Sequence, residues 1–318
     1  MVSSTRPLTP GVYAATLTFF DPKTHELDIE CLKKHVIHLA HAGLSGIITL
    51  GSNGEAAHLN IEERKLVTQT VVEALKGSGH GHLPVIVGSS APSVRETVSL
   101  CNDAAEVGGT HVLVLPPCYY KAAMSEDTIY KFYMDVAASS PLPVVLYSFP
   151  AVSAGIEMSS DLLIRISNGH SNIVGTKFTC GDSGKLGRVA RAMDAMTPSK
   201  PQKPYWAVAG LADFTLQALV AKGSGVIAGG ANVTPKTCCK VYDLFQKGKF
   251  EEAMEVQALL SVGDWPHTAA GIGGTKQVLQ QFSGYGGLPR PPLGEVSSAT
   301  AEALREEMQE VMDFESRL

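Results

Sequence analysis

The run Asn172-Ile173-Val174-Gly175-Thr176-Lys177-Phe178 is apolar almost throughout and carries a lysine near its end. Such a run is typical of a strand that is buried on both faces, as strands of a parallel sheet are. The end of a buried strand is unfavourable for an ordinary charged lysine, because desolvation disfavours the ammonium form. A lysine that loses its proton becomes an amine nucleophile, which can form a Schiff base with a carbonyl group. Lys177 is therefore a candidate catalytic residue, and the alternative is a lysine that closes the strand and extends its amine to water.

Seven further runs resemble this one. The eight runs lie near 12–19, 46–51, 84–88, 111–116, 143–148, 173–178, 205–209 and 225–230, and segments with apolar residues at helical spacing lie between them. Eight strands that alternate with helices, each too apolar for a half-exposed sheet, predict an α/β fold: a closed (β/α)8 TIM barrel over residues 1–235. A doubly wound open sheet is disfavoured, because no Gly-x-Gly-x-x-Gly follows the first strand.

The strand rhythm stops after about residue 235. Three helical segments follow, near 236–263, 273–282 and 298–315, and they predict a C-terminal three-helix appendage over residues 236–318. We expect the appendage to serve packing and oligomer contact.

Composition narrows the classes of function. A formal net charge of −5 gives no support for a nucleic-acid or anionic-membrane partner, and no apolar stretch is long enough to span a bilayer. The segment 1–7 lacks an apolar signal core. The six cysteines form no Cys-x-x-Cys pair and are expected to be reduced thiols, while His80 and His82 are expected to be surface histidines without a metal.

Polar residues follow several strands at the end where barrel enzymes carry their chemistry. The segments concerned are Gly51–Glu55, Pro116–Lys121, Leu146–Pro150 and Thr176–Lys177. We expect a hydroxyl-and-amide loop, two groups of tyrosines and a lysine to converge at one mouth of the barrel.

Strand alternation adds geometry to this expectation. Ile173, Gly175 and Lys177 fall on one face of their strand, where Gly175 would leave space beneath the lysine. Val145 and Tyr147 share a face of the preceding strand. If both faces point inward, Tyr147 meets Lys177, and its hydroxyl can relay protons during iminium formation and carbon–carbon cleavage.

The Ser52 hydroxyl and the backbone N–H groups of the turn at 52–53 could bind a small carboxylate. Each feature also has a plainer interpretation, since Ser52-Asn53-Gly54 is typical of a simple turn and buried tyrosines are often core residues. Their joint placement at successive strand ends favours the functional interpretation.

Four motifs together resemble the dihydrodipicolinate synthase/N-acetylneuraminate lyase family. They are Gly51-Ser52-Asn53-Gly54-Glu55, Tyr119-Tyr120, Leu146-Tyr147-Ser148-Phe149-Pro150 and Gly175-Thr176-Lys177, and the likeness runs from about Gly11 to the last helix. The resemblance implies a (β/α)8 barrel with a C-terminal helical domain, assembled as a homotetramer of two tight dimers. It implies class I aldolase chemistry in which pyruvate, or a 2-oxo acid that yields it, is held on Lys177 with no metal or other cofactor.

The resemblance also implies roles for residues around Lys177. Tyr147 would be the acid/base, and Tyr120 would reach into the neighbouring subunit and complete a proton relay with Ser52 and Tyr147. The implied substrate-binding residues are Ser52, Asn53, Gly210 and Ile227.

One departure bears on the substrate. Dihydrodipicolinate synthases carry an arginine after the Tyr-Asn-Val-Pro element, whereas Pro150–Gly155 contains none, so bidentate capture of a second carboxylate is lost. The chain is more similar to 4-hydroxy-2-oxoglutarate aldolases and to fungal aldolases that split 2-keto-3-deoxy sugar acids. The leading hypothesis is a Schiff-base lyase that yields pyruvate and a small aldehyde or 2-oxo acid. The alternatives are a dihydrodipicolinate synthase and a catalytically silent barrel that binds pyruvate-like acids.

The C-terminal tripeptide Ser316-Arg317-Leu318 resembles the peroxisomal Ser-Lys-Leu address. A frayed helix end is the plainer interpretation, so we expect a cytoplasmic protein, with the peroxisome as the alternative. A fluorescent protein fused to the N-terminus, which leaves Leu318 free, should therefore give diffuse fluorescence in cells. Puncta that vanish when Leu318 is deleted would contradict the cytoplasmic expectation.

Overall fold

The structure is a computed structural model that describes residues 6–318. It confirms the predicted barrel: eight parallel strands pair in chain order, and β8 pairs back to β1 and closes the sheet. The strands are β1 Gly11–Ala15, β2 Gly46–Thr49, β3 Val85–Gly88, β4 His111–Val114, β5 Val144–Ser148, β6 Ile173–Phe178, β7 Trp206–Ala209 and β8 Gly225–Ala228.

Helices follow the strands and cover the outside of the barrel. They are α1 Ile29–His41, α2 Ile61–Gly77, α3 Val94–Glu106, α4 Glu126–Ser139, α5 Ser160–Gly169, α6 Ser183–Ala192, α7 Thr215–Val220 and α8 Pro235–Gln246. Capping fixes where several begin. At α2, the Asn60 side chain accepts from the Glu63 N–H while the Glu63 carboxylate accepts from the Asn60 N–H, which is a capping box.

The core has two parts, as strand alternation requires. Outward-facing strand residues pack against the helices in one large cluster, and inward-facing residues fill the barrel in a second cluster that includes Ile48, Tyr147 and Ile227. Trp206 and Tyr13 pack edge to face in the interior, with ring centroids 4.7 Å apart. The interior of the barrel is therefore filled by side chains, and a reaction can take place only at its mouth, at the C-terminal ends of the strands.

A β-bulge in β6 changes the face on which Ile173 lies, so the expectation for this residue was wrong. Val144 pairs with Ile173 but Val145 pairs with Gly175, so Val174 is an extra residue in β6. Ile173 consequently belongs to the outer cluster and does not share the face of Gly175 and Lys177, as strict alternation predicted. The space inside Gly175 is also not empty, since the backbone of Trp206 approaches it closely.

The C-terminal region contains one more helix than expected. The segment predicted as a helix over 236–263 is two helices, because the chain turns at Gly248 (φ +71°) between α8 and α9. The last three helices are α9 Phe250–Ala269, α10 Gly271–Ser283 and α11 Ser298–Arg317. By its place after β8, α8 is the eighth helix of the barrel, and the domain boundary at residue 235 stays a prediction.

Other expectations concern segments and side chains outside the barrel. Within 6–318, no helix is long and apolar enough to cross a membrane. All six cysteines are free thiols. The expectation about the N-terminal segment involves residues 1–5, which lie outside the described residues.

The close approach of β7 to Gly175 yields a test of barrel packing. A Cβ atom at this position would lie 2.5 Å from the Trp206 carbonyl oxygen, so Gly175→Ala should lower the free energy of unfolding by about 1–3 kcal/mol. Urea denaturation measures this loss. At Gly77, the last residue of α2, a Cβ would meet nothing within 4 Å, so Gly77→Ala is a control expected to leave stability unchanged or slightly raised. Equal stabilities for Gly175→Ala and the unmodified protein would contradict the packing described.

Candidate active site

Lys177 and Tyr147 meet at the C-terminal ends of β6 and β5. The register of the two strands sets them side by side, and both side chains are buried, with 3% and 4% of their surface exposed. Lys177 Nζ donates a hydrogen bond to Tyr147 Oη at 3.3 Å and lies 4.4 Å from the centroid of the tyrosine ring. An amine nucleophile and a proton carrier are therefore in contact in a desolvated site.

Ser52 extends this contact into a row of three groups. Its Oγ lies 3.5 Å from Tyr147 Oη, across the barrel mouth from the loop after β2. Two non-glycine residues on either side of the turn, Leu50 (φ +57°) and Glu55 (φ +51°), adopt the left-handed conformation. Each such residue costs on the order of 1–3 kcal/mol, so the surrounding structure must hold the turn in shape.

The three remaining expected binding residues belong to β8 and to the loops that follow β2 and β7. The amide nitrogen of Asn53 packs against Gly229 at the end of β8, where a Cβ would lie 2.5 Å from it. Gly210 follows β7, and a Cβ there would lie 2.0 Å from Thr179 Oγ1. Ile227 is fully buried, in the interior cluster that also includes Tyr147. Gly210 thus allows a close approach of the β6 and β7 loops, and Ile227 is part of the filled interior of the barrel.

Tyr120 is placed apart from the row. It is 70% exposed, its neighbour Tyr119 is 77% exposed, and the two rings pack edge to face with centroids 5.0 Å apart. Two adjacent exposed tyrosines leave a large aromatic surface uncovered on a single chain. The structure of one chain therefore does not bring Tyr120 to Lys177.

A cavity of about 530 Å³ opens beside Ser52 and Tyr147. Its volume is in the range of small-molecule sites. Arg64, which lines it, donates to the carbonyl oxygens of Ala56 and Gly88 and so is already bonded. The apolar part of its lining includes Leu50, Leu59, Ile61, Leu115, Val152 and Leu293.

Sequence analysis missed a hydroxyl group at the mouth. Thr179, two residues after Lys177, is buried, and its Oγ1 has no hydrogen-bond partner among the described residues. A buried hydroxyl without a partner is costly unless a ligand or water satisfies it. The spacing of two residues from Lys177 was the available signal.

A pair of acidic residues near the same edge was also missed. Asp213, in the loop after β7, donates its N–H to Asp264 Oδ2 at 3.2 Å. Burial, and then the charge of Asp264, raise the pKa of the Asp213 carboxyl to about 6. Across residues 6–318, no group of three or more histidine, cysteine, aspartate or glutamate side chains is arranged to hold a metal ion.

Comparison with known proteins identifies the family of this chain. Residues 9–311 match the dihydrodipicolinate synthetase family. The chain belongs to this family. The resemblance inferred from the four motifs is thus confirmed, and so is the barrel with C-terminal helices.

Two similar sequences and one similar solved structure show which proteins this chain resembles. The chain is 48% identical to "L-threo-3-deoxy-hexylosonate aldolase" of Aspergillus niger, over 98% of each chain. It is 44% identical to "Probable 4-hydroxy-2-oxoglutarate aldolase, mitochondrial" of Emericella nidulans, again over 98% of each. A crystal structure of a dihydrodipicolinate synthase family protein from Coccidioides immitis superposes with a TM-score of 0.87 at 35% identity, over 98% of each chain.

The contact between Tyr147 and Lys177 gives the second test. Tyr147→Phe removes the hydroxyl alone, and aldol cleavage should slow by roughly a hundredfold or more, the usual scale for a lost acid/base group. Steady-state turnover of a 4-hydroxy-2-oxo acid measures the effect. Tyr133→Phe is the matched control, because Tyr133 is also buried but donates to the Val114 carbonyl in the outer core, so only its stability should change. Unchanged turnover in Tyr147→Phe would remove Tyr147 from the mechanism.

Proposed function

We propose that the protein is a class I aldolase that cleaves a 4-hydroxy-2-oxo acid, such as a 2-keto-3-deoxy sugar acid, to pyruvate and an aldehyde. The observation that carries the proposal is the row formed by the buried Lys177 and Tyr147 and the half-buried Ser52. The Tyr147 hydroxyl lies 3.3 Å from the Lys177 amine and 3.5 Å from the Ser52 hydroxyl. A protein that only bound pyruvate-like acids would need no amine nucleophile at this position.

The first half of the reaction forms the covalent intermediate. The Lys177 amine attacks the C2 carbonyl of the substrate, and the carbinolamine loses water to give an iminium. Tyr147 delivers the proton that the departing hydroxyl needs, since its hydroxyl contacts Nζ directly. Ser52 and the backbone of the turn at 52–53 hold the C1 carboxylate, with Asn53 in the same turn.

The second half breaks the carbon–carbon bond. Tyr147 accepts the proton of the C4 hydroxyl, the C3–C4 bond breaks, and its electron pair moves into the iminium to give an enamine and a free aldehyde. Protonation of C3 and hydrolysis then release pyruvate and restore the Lys177 amine. The iminium is the electron sink, so the cycle requires no metal or other cofactor.

The choice of aldehyde follows from the groups around the mouth. The names of the relatives from Aspergillus niger and Emericella nidulans favour a hydroxylated or a carboxylated fragment, respectively. The loop over 150–155 supplies no arginine, but the Lys121 amine approaches Gly155 closely enough that a Cβ there would lie 3.3 Å from it. Thr179 offers an unbonded hydroxyl to a substrate hydroxyl. We rank a 2-keto-3-deoxy sugar acid first and 4-hydroxy-2-oxoglutarate second.

Dihydrodipicolinate synthase activity is the weaker alternative. It needs capture of the carboxylate of aspartate semialdehyde, for which an arginine fork is suited and a single exposed lysine is not. The relatives with 44% identity or more described above carry the names of aldolases.

The exposed tyrosines support assembly with a second copy. We propose that Tyr120 of one chain enters the partner's cavity beside Ser52 and Tyr147 and completes the proton relay, in a homotetramer built from two such dimers. Its 70% exposure on the single chain and the apolar lining of that cavity support this arrangement.

A cytoplasmic location stays a proposal. Since the name of the relative from Emericella nidulans includes "mitochondrial", a second fusion that carries the fluorescent protein at the C-terminus and leaves the N-terminus free should be compared with a mitochondrial marker.

Trapping with borohydride tests the covalent step. Incubation with pyruvate and borohydride should add one reduced pyruvate per chain, on the peptide that contains Lys177. Lys177→Arg should abolish the adduct, because arginine keeps the charge but cannot form an iminium. Lys185→Arg is the matched control, since Lys185 is also buried but pairs with Glu157, so the adduct should persist.

An adduct that survives in Lys177→Arg would contradict the assignment, and no adduct in the unmodified protein would favour the silent barrel. A panel of L-glyceraldehyde, glyoxylate and aspartate semialdehyde with pyruvate then separates the sugar-acid aldolase, the hydroxyoxoglutarate aldolase and the synthase.

A further inference from the structure

Glu55 ends the loop that carries Ser52 and Asn53, and its side chain is fully buried. Its Oε1 accepts a hydrogen bond from Lys276 Nζ of α10 at 2.7 Å, and the Lys276 side chain is fully buried as well. Its Oε2 accepts from the backbone N–H of Arg290 at 2.8 Å and lies 3.1 Å from His58 Nδ1. Two of these three partners belong to the C-terminal appendage.

The partners of Glu55 are themselves anchored. Lys276 Nζ also donates to the Leu288 carbonyl at 3.0 Å and lies 4.6 Å from the centroid of the Phe20 ring. The Arg290 guanidinium lies over the same ring at 4.4 Å and forms two hydrogen bonds with the Glu63 carboxylate, 2.7 and 2.9 Å long. Phe20 therefore contacts two cations of the appendage, and Glu63 connects that appendage to the start of α2.

The same cluster holds the loop at further points. Arg290 donates to the His58 carbonyl at 2.8 Å, and the Thr18 hydroxyl donates to the Gly54 carbonyl at 2.7 Å. These bonds surround the left-handed residue Glu55, whose backbone would relax if nothing held it. The turn at 52–53 is thus fixed from the β1 loop on one side and from the appendage on the other.

A buried ion pair is a poor source of net stability, because desolvation of the two charges offsets their attraction. An apolar pair of similar volume would pack α10 against the loop equally well. The arrangement instead has geometric specificity: the two oxygens of one carboxylate are bonded to two separate segments of the appendage. This favours a role in fixing the shape of the loop over a role in stabilising the fold.

We propose that Glu55 is a positioning residue, and that Lys276 and Arg290 act through it to hold the carboxylate-binding turn at Ser52 and Asn53. The C-terminal appendage is then part of the frame of the active site and not only a packing or oligomer element. The inference rests on the proposed function, since it concerns the turn that is proposed to bind the pyruvate carboxylate. If the turn adopts its binding conformation for only a fraction of the time, the apparent affinity for pyruvate falls to that fraction of its intrinsic value.

The test uses borohydride trapping of the full chain at a series of pyruvate concentrations, below the unfolding temperature of every variant. Glu55→Gln keeps the volume but loses the ion pair, and it should raise the half-saturating pyruvate concentration about tenfold. At saturating pyruvate the adduct should still reach one per chain, because Lys177 and Tyr147 are untouched. A loss of fold stability alone would lower the amount of competent protein without shifting the half-saturating concentration.

Glu315→Gln is the matched control. Glu315 is a buried carboxylate that ties α11 to the start of α8, since it accepts hydrogen bonds from the N–H groups of Lys236 and Thr237 at 2.9 and 2.7 Å. It should lower stability but leave half-saturating pyruvate unchanged. A shift equal to that of Glu55→Gln would overturn the proposal.

The double variant Glu55→Gln/Lys276→Met covers the case in which Glu55→Gln does not fold. It leaves no unpaired charge buried, and methionine can pack against Phe20, so it should fold and still show raised half-saturating pyruvate. Half-saturation equal to the unmodified protein in this folded variant would overturn the inference while the proposed function stands. No adduct in the unmodified protein would instead defeat the proposed function itself.

Discussion

The pairing of β5 with β6 is the constraint on which the site depends. Parallel strands place residues from different chain segments side by side only in one register, and here Tyr147 lies opposite Lys177 because Val174 bulges out of β6. Without that extra residue, strict alternation along β6 from the outward-facing Ile173 would point different side chains into the barrel. The close approach of Trp206 to Gly175 keeps β7 packed against the same strand, directly below the lysine. The chemistry of the mouth therefore follows from backbone register and from one glycine.

Burial gives the row its chemical value. Lys177 and Tyr147 are almost fully buried, so their hydrogen bond is stronger than it would be in water. The same burial makes unpaired polar groups costly, which is why the hydroxyl of Thr179 beside Gly210 stands out as a place for a ligand atom. On the other side of the mouth, Glu55, Lys276 and Arg290 form a cluster in which each charge has a partner. A strained loop between two such well-packed regions can present Ser52 in a defined direction.

Periodicity made most of the barrel predictable. All eight strands lie within or overlap the apolar runs, because strands buried on both faces appear in the sequence as nearly continuous apolar segments. The predictions were wrong where a single residue interrupts a regular strand or helix. The bulge at Val174 has no sequence signature in an otherwise regular run, and Gly248 was not recognised as the end of a helix, so α8 and α9 were merged. The position of Tyr120 in an assembly also lies beyond a single chain.

The sequence by itself determined the class of fold and the chemical groups at the mouth. Local composition and spacing show a lysine at the end of a buried strand and a tyrosine at the end of the preceding strand. They also show a loop with a hydroxyl group after β2. Only the tertiary structure decided how those groups are held. Lys276 and Arg290 lie more than two hundred positions from Glu55 along the chain, and no periodicity relates them. Their contact exists because the appendage folds back against the loop after β2, and burial then requires that a charge from one region be matched by a charge from the other.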